Sequence, residues 1–492
     1  MSIADAIAAP SPRKIAIGVA LISAANILRL AIQLLMFPVL ARLLSPADYG
    51  IMALAVPITM FALTIADGGM GPALLRTADP DGNVEATMFW TAVGASLTLV
   101  AVMIVAANPI AEAMSHAGVA TVLVWLAPIL VLNALCAVPS VRNQRRGATW
   151  VFALGDISST IAGVGVALYG ALNGWSVWSL VAQQLVLWVV KVIVLTGSVK
   201  LRVPGMPSRA AFVYLMSNGM PLVGANLLTL FSASIDNILI GRLLGVEQLG
   251  LYALAYQIVR IPESVLVGPI LVTFLPAIAR LADDRAQAAS LFLGTLRMMF
   301  GLAAPLMLGL ALVSDLAVML LLGPRWQEAT ILLRLLAPAA IAQAMGFVAM
   351  ALLLGRGRSV LQFRLALLNA GGIFAGALAG SASGLVGVAF GVALAACFGN
   401  TVYVVAAMRE IGLGSRDLLR GLMPAIVATA AMVIGVGGLR MLLPPDMSPL
   451  VAMFLAVSTG TCLFALTLQL ISPATLAAYL VPFRRANGRP SS

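Results

Sequence analysis

Apolar residues run along this chain in long blocks, parted by short polar breaks. Blocks close to the ~20 residues that carry an α-helix across the hydrocarbon core of a bilayer fall at 15–40, 49–66, 86–107, 117–138, 151–170, 176–196, 213–240, 249–274, 294–313, 331–354, 360–380, 384–408, 421–443 and 449–471. Backbone polar groups inside lipid must find their partners within the spanning segment, and blocks of this length do so as helices. The pattern therefore predicts an all-α polytopic membrane protein with about 14 transmembrane helices. The first block follows the basic pair Arg13-Lys14, is too long for a signal-peptide core and lacks a small-residue cleavage site. It reads as a retained first span.

Composition agrees. Of 492 residues, 61% are hydrophobic and only 10% charged, against roughly 25% charged in soluble domains. With the N-terminus in the cytoplasm, 21 of the 29 Lys and Arg fall in inward segments or at inward span ends and 4 in outward segments or at an outward span end. That asymmetry predicts that both termini are cytoplasmic. The net charge of +11 then reads as topology and contact with anionic lipid, and no soluble basic surface suggests nucleic acid. Cys136, Cys397 and Cys462 lie in apolar blocks and form no disulfide framework. There is no G-x-x-x-x-G-K-[ST] to bind ATP and no metal-ligand spacing, so neither cofactor nor metal is expected. The outward loops are too short for a membrane glycosyltransferase or polymerase, which argues against an enzyme.

The chain also repeats itself. "ARLLSPADYGIMALA" at 41–55 returns 200 positions later as "GRLLGVEQLGLYALA" at 241–255, and "AANILRL" at 24–30 lies over "GANLLTL" at 224–230. Arg146-Gly147 and Gly174 return at an offset of 210, as Arg356-Gly357 and Gly384. An insertion of ten residues near 277–290 would account for the change. The expected organisation is a cytoplasmic tail (1–14), an N-lobe of spans 1–6 (15–196), a cytoplasmic linker (197–212) and a C-lobe of spans 7–12 (213–408). A second linker (409–420), spans 13 and 14 (421–471) and a cytoplasmic tail (472–492) follow. Six is even, so the lobes form a parallel repeat, an arrangement that places a substrate between halves that rock.

The residues that repeat carry a resemblance too. "ARLLSPADYGIMALA", "TIADGGMGPALLR" (64–76), "SIDNILIGRLLGVEQLGLYALAYQIVRIPE" (234–263) and "GPRW" (323–326) resemble the polysaccharide-export, oligosaccharidyl-lipid flippases of the MOP exporter superfamily. The resemblance covers roughly residues 15 to 410. It implies two six-helix lobes around a central cavity and flipping of an undecaprenyl-diphosphate-linked oligosaccharide to the periplasmic leaflet for surface polysaccharide assembly. As partners it implies that lipid-linked oligosaccharide, membrane lipids, and a polysaccharide polymerase and chain-length regulator. Two relatives in the same superfamily are the alternatives: a multidrug/cation antiporter and a peptidoglycan lipid-precursor flippase.

A charge at mid-membrane costs at least about 3 kcal/mol on insertion scales, so each one marks a candidate site. Asn26, Arg29 and Gln33 share one stripe of span 1, and Tyr252, Tyr256, Arg260 and Glu263 share one face of span 8. Guanidinium matches phosphate oxygens in a bidentate fork, and aromatics suit sugar stacking, so both faces are candidates to bind the cargo. The structural alternatives are an Arg29 tied to carbonyls or a neighbouring carboxylate, and an Arg260–Glu263 pair one turn apart. Buried arginines favour an anionic cargo over an organic cation, which would want carboxylates. Asp236 and Glu263 are candidates for ion coupling, with a local cap or an Asp236–Arg242 contact as the plainer reading of Asp236. Asp67 reads as a turn residue, and Lys191 and Arg334 as side chains reaching for the interface.

Overall fold

The computed structural model describes residues 12–77, 83–199, 205–281, 284–444 and 446–473, with the side chains at 12–20, 22 and 261–273 outside that description. Among the described residues the α-helices are α1 (Pro12–Leu43), α2 (Pro46–Asp67), α3 (Met70–Arg76), α4 (Asn83–Ala113), α5 (Gly118–Leu126), α6 (Pro128–Arg145), α7 (Thr149–Leu172), α8 (Val177–Gly197) and α9 (Arg209–Ser232). There follow α10 (Ile235–Leu243), α11 (Val246–Arg280), α12 (Arg285–Leu312), α13 (Ser314–Leu321), α14 (Ala329–Gly355), α15 (Ser359–Ser381), α16 (Gly384–Ile411), α17 (Ser415–Leu442) and α18 (Pro449–Ile471). Among the described residues thirteen segments are long and apolar enough to cross a membrane, and α11, 35 residues long, stands where the eighth span is expected. The chain is an all-α, multi-pass membrane protein.

Local chemistry decides where helices break. Ser45 caps α2 in a capping box: its hydroxyl accepts the Asp48 N–H at 3.3 Å while Asp48 Oδ2 accepts the Ser45 N–H at 2.9 Å. Pro46 follows in the first helical turn, where a missing N–H costs nothing. At the other end Gly68 and Gly69 both adopt left-handed φ angles, 59° and 62°, which a side chain would resist. The second span is therefore two helices, α2 and α3, and Asp67 sits at the turn between them, as expected. Pro128, lacking an N–H, starts α6 directly after α5, so the fourth span is also jointed.

The chain packs into two compact units, Met1–Gly250 and Leu251–Ser492. In the first, α1 and α8 pack on α7, α6 lies against α4 and α8, and α9 packs on α2, α3 and α4. Met70, Leu74, Met88, Ala134, Val141 and Leu215 form a core there, drawing α3, α4, α6 and α9 together. In the second, α16 packs on α14 and α15, α14 on α12, and α12 carries α17, which pairs with α18. Its main core includes Phe292, Leu296, Val348, Leu352 and Tyr403. A smaller cluster of Val313, Met432, Val436 and Ala456 fixes α17 and α18 to the end of α12.

The insertion separating the two sequence copies is not near 277–290. Helices α4 and α12 begin at Asn83 and Arg285, still about 200 apart, whereas α5 and α14 begin at Gly118 and Ala329, about 210 apart. The extra residues are α13 and the 3-10 turn Pro324–Trp326, which replace the short link 114–117 of the first copy. Trp326 is fully buried and anchors the added segment.

Candidate functional site

Helix α1 buries Ala25, Leu40 and Ala41, while Asn26, Arg29 and Gln33 are all exposed. The polar stripe thus lies off the buried face of α1. Arg29 falls inside the apolar stretch Ser23–Leu43, and among the described residues no carboxylate pairs with it. An exposed guanidinium at that position has three open needs: water, a phosphate, or a headgroup.

On α11 the second face is layered. Tyr252 is fully buried, Tyr256 is half-buried and Arg260 is exposed. The two rings stack with centroids 5.8 Å apart and planes 18° from parallel, and the Arg260 guanidinium lies over Tyr256 at 5.7 Å. A cation over a tyrosine face is attracted by the ring quadrupole, which aims Arg260 without neutralising it. Tyr252 was expected to contact sugar; buried as it is, it supports Tyr256 from behind. The Glu263 side chain lies outside the described residues.

Asp236 is 5% exposed, in the first turn of α10, and its Oδ1 accepts the Asn237 N–H at 2.9 Å. Carboxylate at a helix N-terminus is a stabilising placement.

Several charged groups gain partners from other helices. Lys191 on α8 donates to Asp156 on α7 at 3.0 Å and lies 5.8 Å from the Trp188 ring. Lysine at this depth therefore pairs across the α7–α8 hairpin. The signal was present: Asp156 and Lys191 are nearly equidistant from the turn glycine, Gly174, with φ 76°. Glu85 on α4 takes Arg142 at 2.7 Å and Arg145 at 3.4 Å. Asp315 on α13 binds Arg440 through both oxygens, at 2.6 and 2.5 Å, with Arg334 Nη2 at 3.6 Å. Arg334 Nε donates to Ser314 Oγ at 3.0 Å, so this side chain is tied to α13.

The sequence profile of the family described as Polysaccharide biosynthesis protein matches residues 39–331. The chain belongs to this family. Among relatives, it is 25% identical to the succinoglycan biosynthesis transport protein ExoT of Rhizobium meliloti, over 61% of each chain. It thus spans about three fifths of the length of that relative. The lipopolysaccharide biosynthesis protein WzxC of Escherichia coli is 22% identical over 80% of each chain. Among solved structures, the lipid II flippase MurJ in an inward closed conformation superposes with a TM-score of 0.72 at 12% identity, covering 95% of this chain and 99% of that one. An inward-facing multidrug resistance transporter of the MOP superfamily gives 0.60 at 15% identity, covering 78% and 98%. At these identities the likeness is one of fold.

Proposed function

We propose that this family member flips an undecaprenyl-diphosphate-linked oligosaccharide from the cytoplasmic to the periplasmic leaflet, for surface polysaccharide assembly. The observation that carries the reading is Arg29: an exposed guanidinium inside an apolar span, flanked by Asn26 and Gln33 and with no carboxylate partner among the described residues. A group so placed suits a diphosphate, because its five donors fit phosphate oxygens in pairs. Arg260, aimed by Tyr256, is a second such group, on α11. An organic cation would gain nothing from either, which favours this reading over a multidrug antiporter. The names of the relatives, which concern succinoglycan transport and lipopolysaccharide and teichuronic acid biosynthesis, support a polysaccharide cargo over a peptidoglycan precursor.

In this proposal the protein sits in the bacterial inner membrane with both termini cytoplasmic, as the Lys and Arg asymmetry favours. The six-helix copies, 15–196 and 213–408, act as the alternating parts. Asp236 and Glu263 are the coupling candidates, and a polymerase and chain-length regulator receive the product. Deleting the gene and analysing lipid-linked intermediates tests the proposal. Accumulation of one diphosphate-linked glycan on the cytoplasmic leaflet supports it; no accumulation, together with new drug sensitivity, overturns it.

A further inference from the structure

We infer that the second unit holds the phosphate of an anionic phospholipid at the end where α14 gives way to α15, through Arg356 and Arg358. Arg356 follows the last residue of α14, and its side chain is only 9% exposed. Yet its Nε and Nη1 have no hydrogen-bond partner. Glu410, at the end of α16, lies 3.6 Å from Nε, beyond hydrogen-bond reach. The same carboxylate is taken by the half-exposed Arg358, whose Nε is 3.0 Å from Oε2. One 14%-exposed carboxylate therefore faces two guanidiniums, and a positive charge is left over.

Among the described residues the usual remedies are used up. The carbonyls that end α14, those of Leu352, Leu353 and Leu354, accept the N–H groups of Arg356, Arg358 and Gly357. Gly355 is closed off by Ile278 of α11, whose Cγ2 would lie 2.8 Å from a Cβ there. Helix α12 brings no acid in its first turn, and its cap, Asp284, is committed to the Gln287 N–H at 2.9 Å. The first unit shows what a complete set looks like. Its Arg145 reaches Glu85, the Thr77 carbonyl at 2.7 Å and the Leu74 carbonyl, and Arg142 takes Glu85 as well. Both units set one carboxylate against two arginines, but Arg356 Nε and Nη1 have no acceptors to match the carbonyls that take Arg145.

A buried charged donor left unpaired costs more than a neutral one. What completes the group must be anionic, with several acceptor oxygens. The group stands at the end of three membrane-crossing helices, α14, α15 and α16, at the depth of lipid headgroups. A phosphodiester there meets both forks, entering past Arg358. On the orientation proposed above this is the cytoplasmic leaflet, where anionic lipids attract clustered basic residues. The inference itself does not depend on the cargo.

The test is lipid retention and thermal unfolding of the full-length protein in neutral detergent, with phosphatidylglycerol, phosphatidylcholine, undecaprenyl diphosphate or inorganic pyrophosphate added. Phosphatidylglycerol is expected to remain bound in native mass spectra and raise the Tm by several degrees, with phosphatidylcholine doing neither. Arg356→Gln and Arg358→Gln should each weaken retention about tenfold, while Arg285→Gln, an exposed arginine at the start of α12, keeps it. Without lipid, Arg356→Gln should melt no lower than the parent, since it removes donors that have no partner; a purely structural Arg356–Glu410 pair would lower the Tm. Equal phosphatidylglycerol retention by parent and both variants overturns the site. A response only to undecaprenyl diphosphate or only to pyrophosphate overturns the phospholipid as its occupant.

Discussion

Gly50 and Gly250 occupy the same position in the two sequence copies, and they meet where α2 and α11 cross. A Cβ on Gly50 would strike the Val246 carbonyl oxygen, and one on Gly250 would strike that of Pro46. Each glycine thus clears the carbonyl four residues before the other, a reciprocal contact. The close approach is made of backbone, so nothing flexible can give way.

Substituting either glycine should therefore be costly. Overpacking typically costs about 1–3 kcal/mol, and rigid backbone on both sides sets the upper end of that range here. Gly50→Val and Gly250→Val are each expected to lower the Tm and to cut export at least tenfold. The double variant should be little worse than either single one, because both disrupt one contact. Gly94→Val, with nothing within 4 Å of a Cβ, is the matched control. Thermal unfolding of purified protein and complementation of a deletion strain measure the two effects.

Arg260→Ala should abolish export with the protein still inserted, and Arg260→Lys should restore it only in part, because the fork is lost. Arg29 is expected to behave alike. Tyr256→Leu should reduce export without lowering protein level, since it removes the ring beneath Arg260. Normal export from an inserted Arg260→Ala protein would refute the assigned role.

The Asp156–Lys191 pair makes a stability prediction. Both side chains are about one third exposed, 34% and 30%, so the cost of breaking the pair falls below the 3–5 kcal/mol of a fully buried one, to about 1–2 kcal/mol. Asp156→Asn and Lys191→Met should each destabilise by that amount. The double variant should recover most of the loss, as no unpaired charge remains; unfolding midpoints of the four proteins complete the cycle.

Asp315 predicts acid sensitivity. Burial works against its charged form, but the hydrogen bond and charge of Arg440, aided by the N–H groups of Asp315 and Leu316, outweigh it and hold the carboxyl below its ordinary value of 3.8. A depressed folded-state value stabilises the protein above the ordinary value, and that contribution disappears as pH falls from there through the lowered one. Stability should be level in this respect at neutral pH and fall in strong acid. Asp315→Asn should flatten that part of the profile in unfolding scans between pH 7 and pH 3.

The span pattern was legible because lipid tolerates so few backbone arrangements that hydrophobic length alone selects a helix. Even so, its joints at Gly68-Gly69 and Pro128 shift boundaries, since a turn glycine or an absent N–H acts over one or two residues inside an otherwise apolar run. The polar stripe of Asn26, Arg29 and Gln33 was legible because helical periodicity alone sets which residues share a side. Tyr252 was not, because a stripe does not say how far its members stand from the neighbouring helix. Arg334 and Lys191 looked like interfacial side chains until Ser314 and Asp156 were brought to them from other helices.

By itself, then, the amino-acid sequence determined the class of fold and which residues share a side of a helix, because each follows from hydrophobic period or length along one chain. The partners were decided only in three dimensions: which arginine finds a carboxylate, which tyrosine is sealed in, where Gly50 meets Gly250, and why Arg356 is left wanting an anion. Those depend on distances between residues far apart in the chain, and no local pattern contains them.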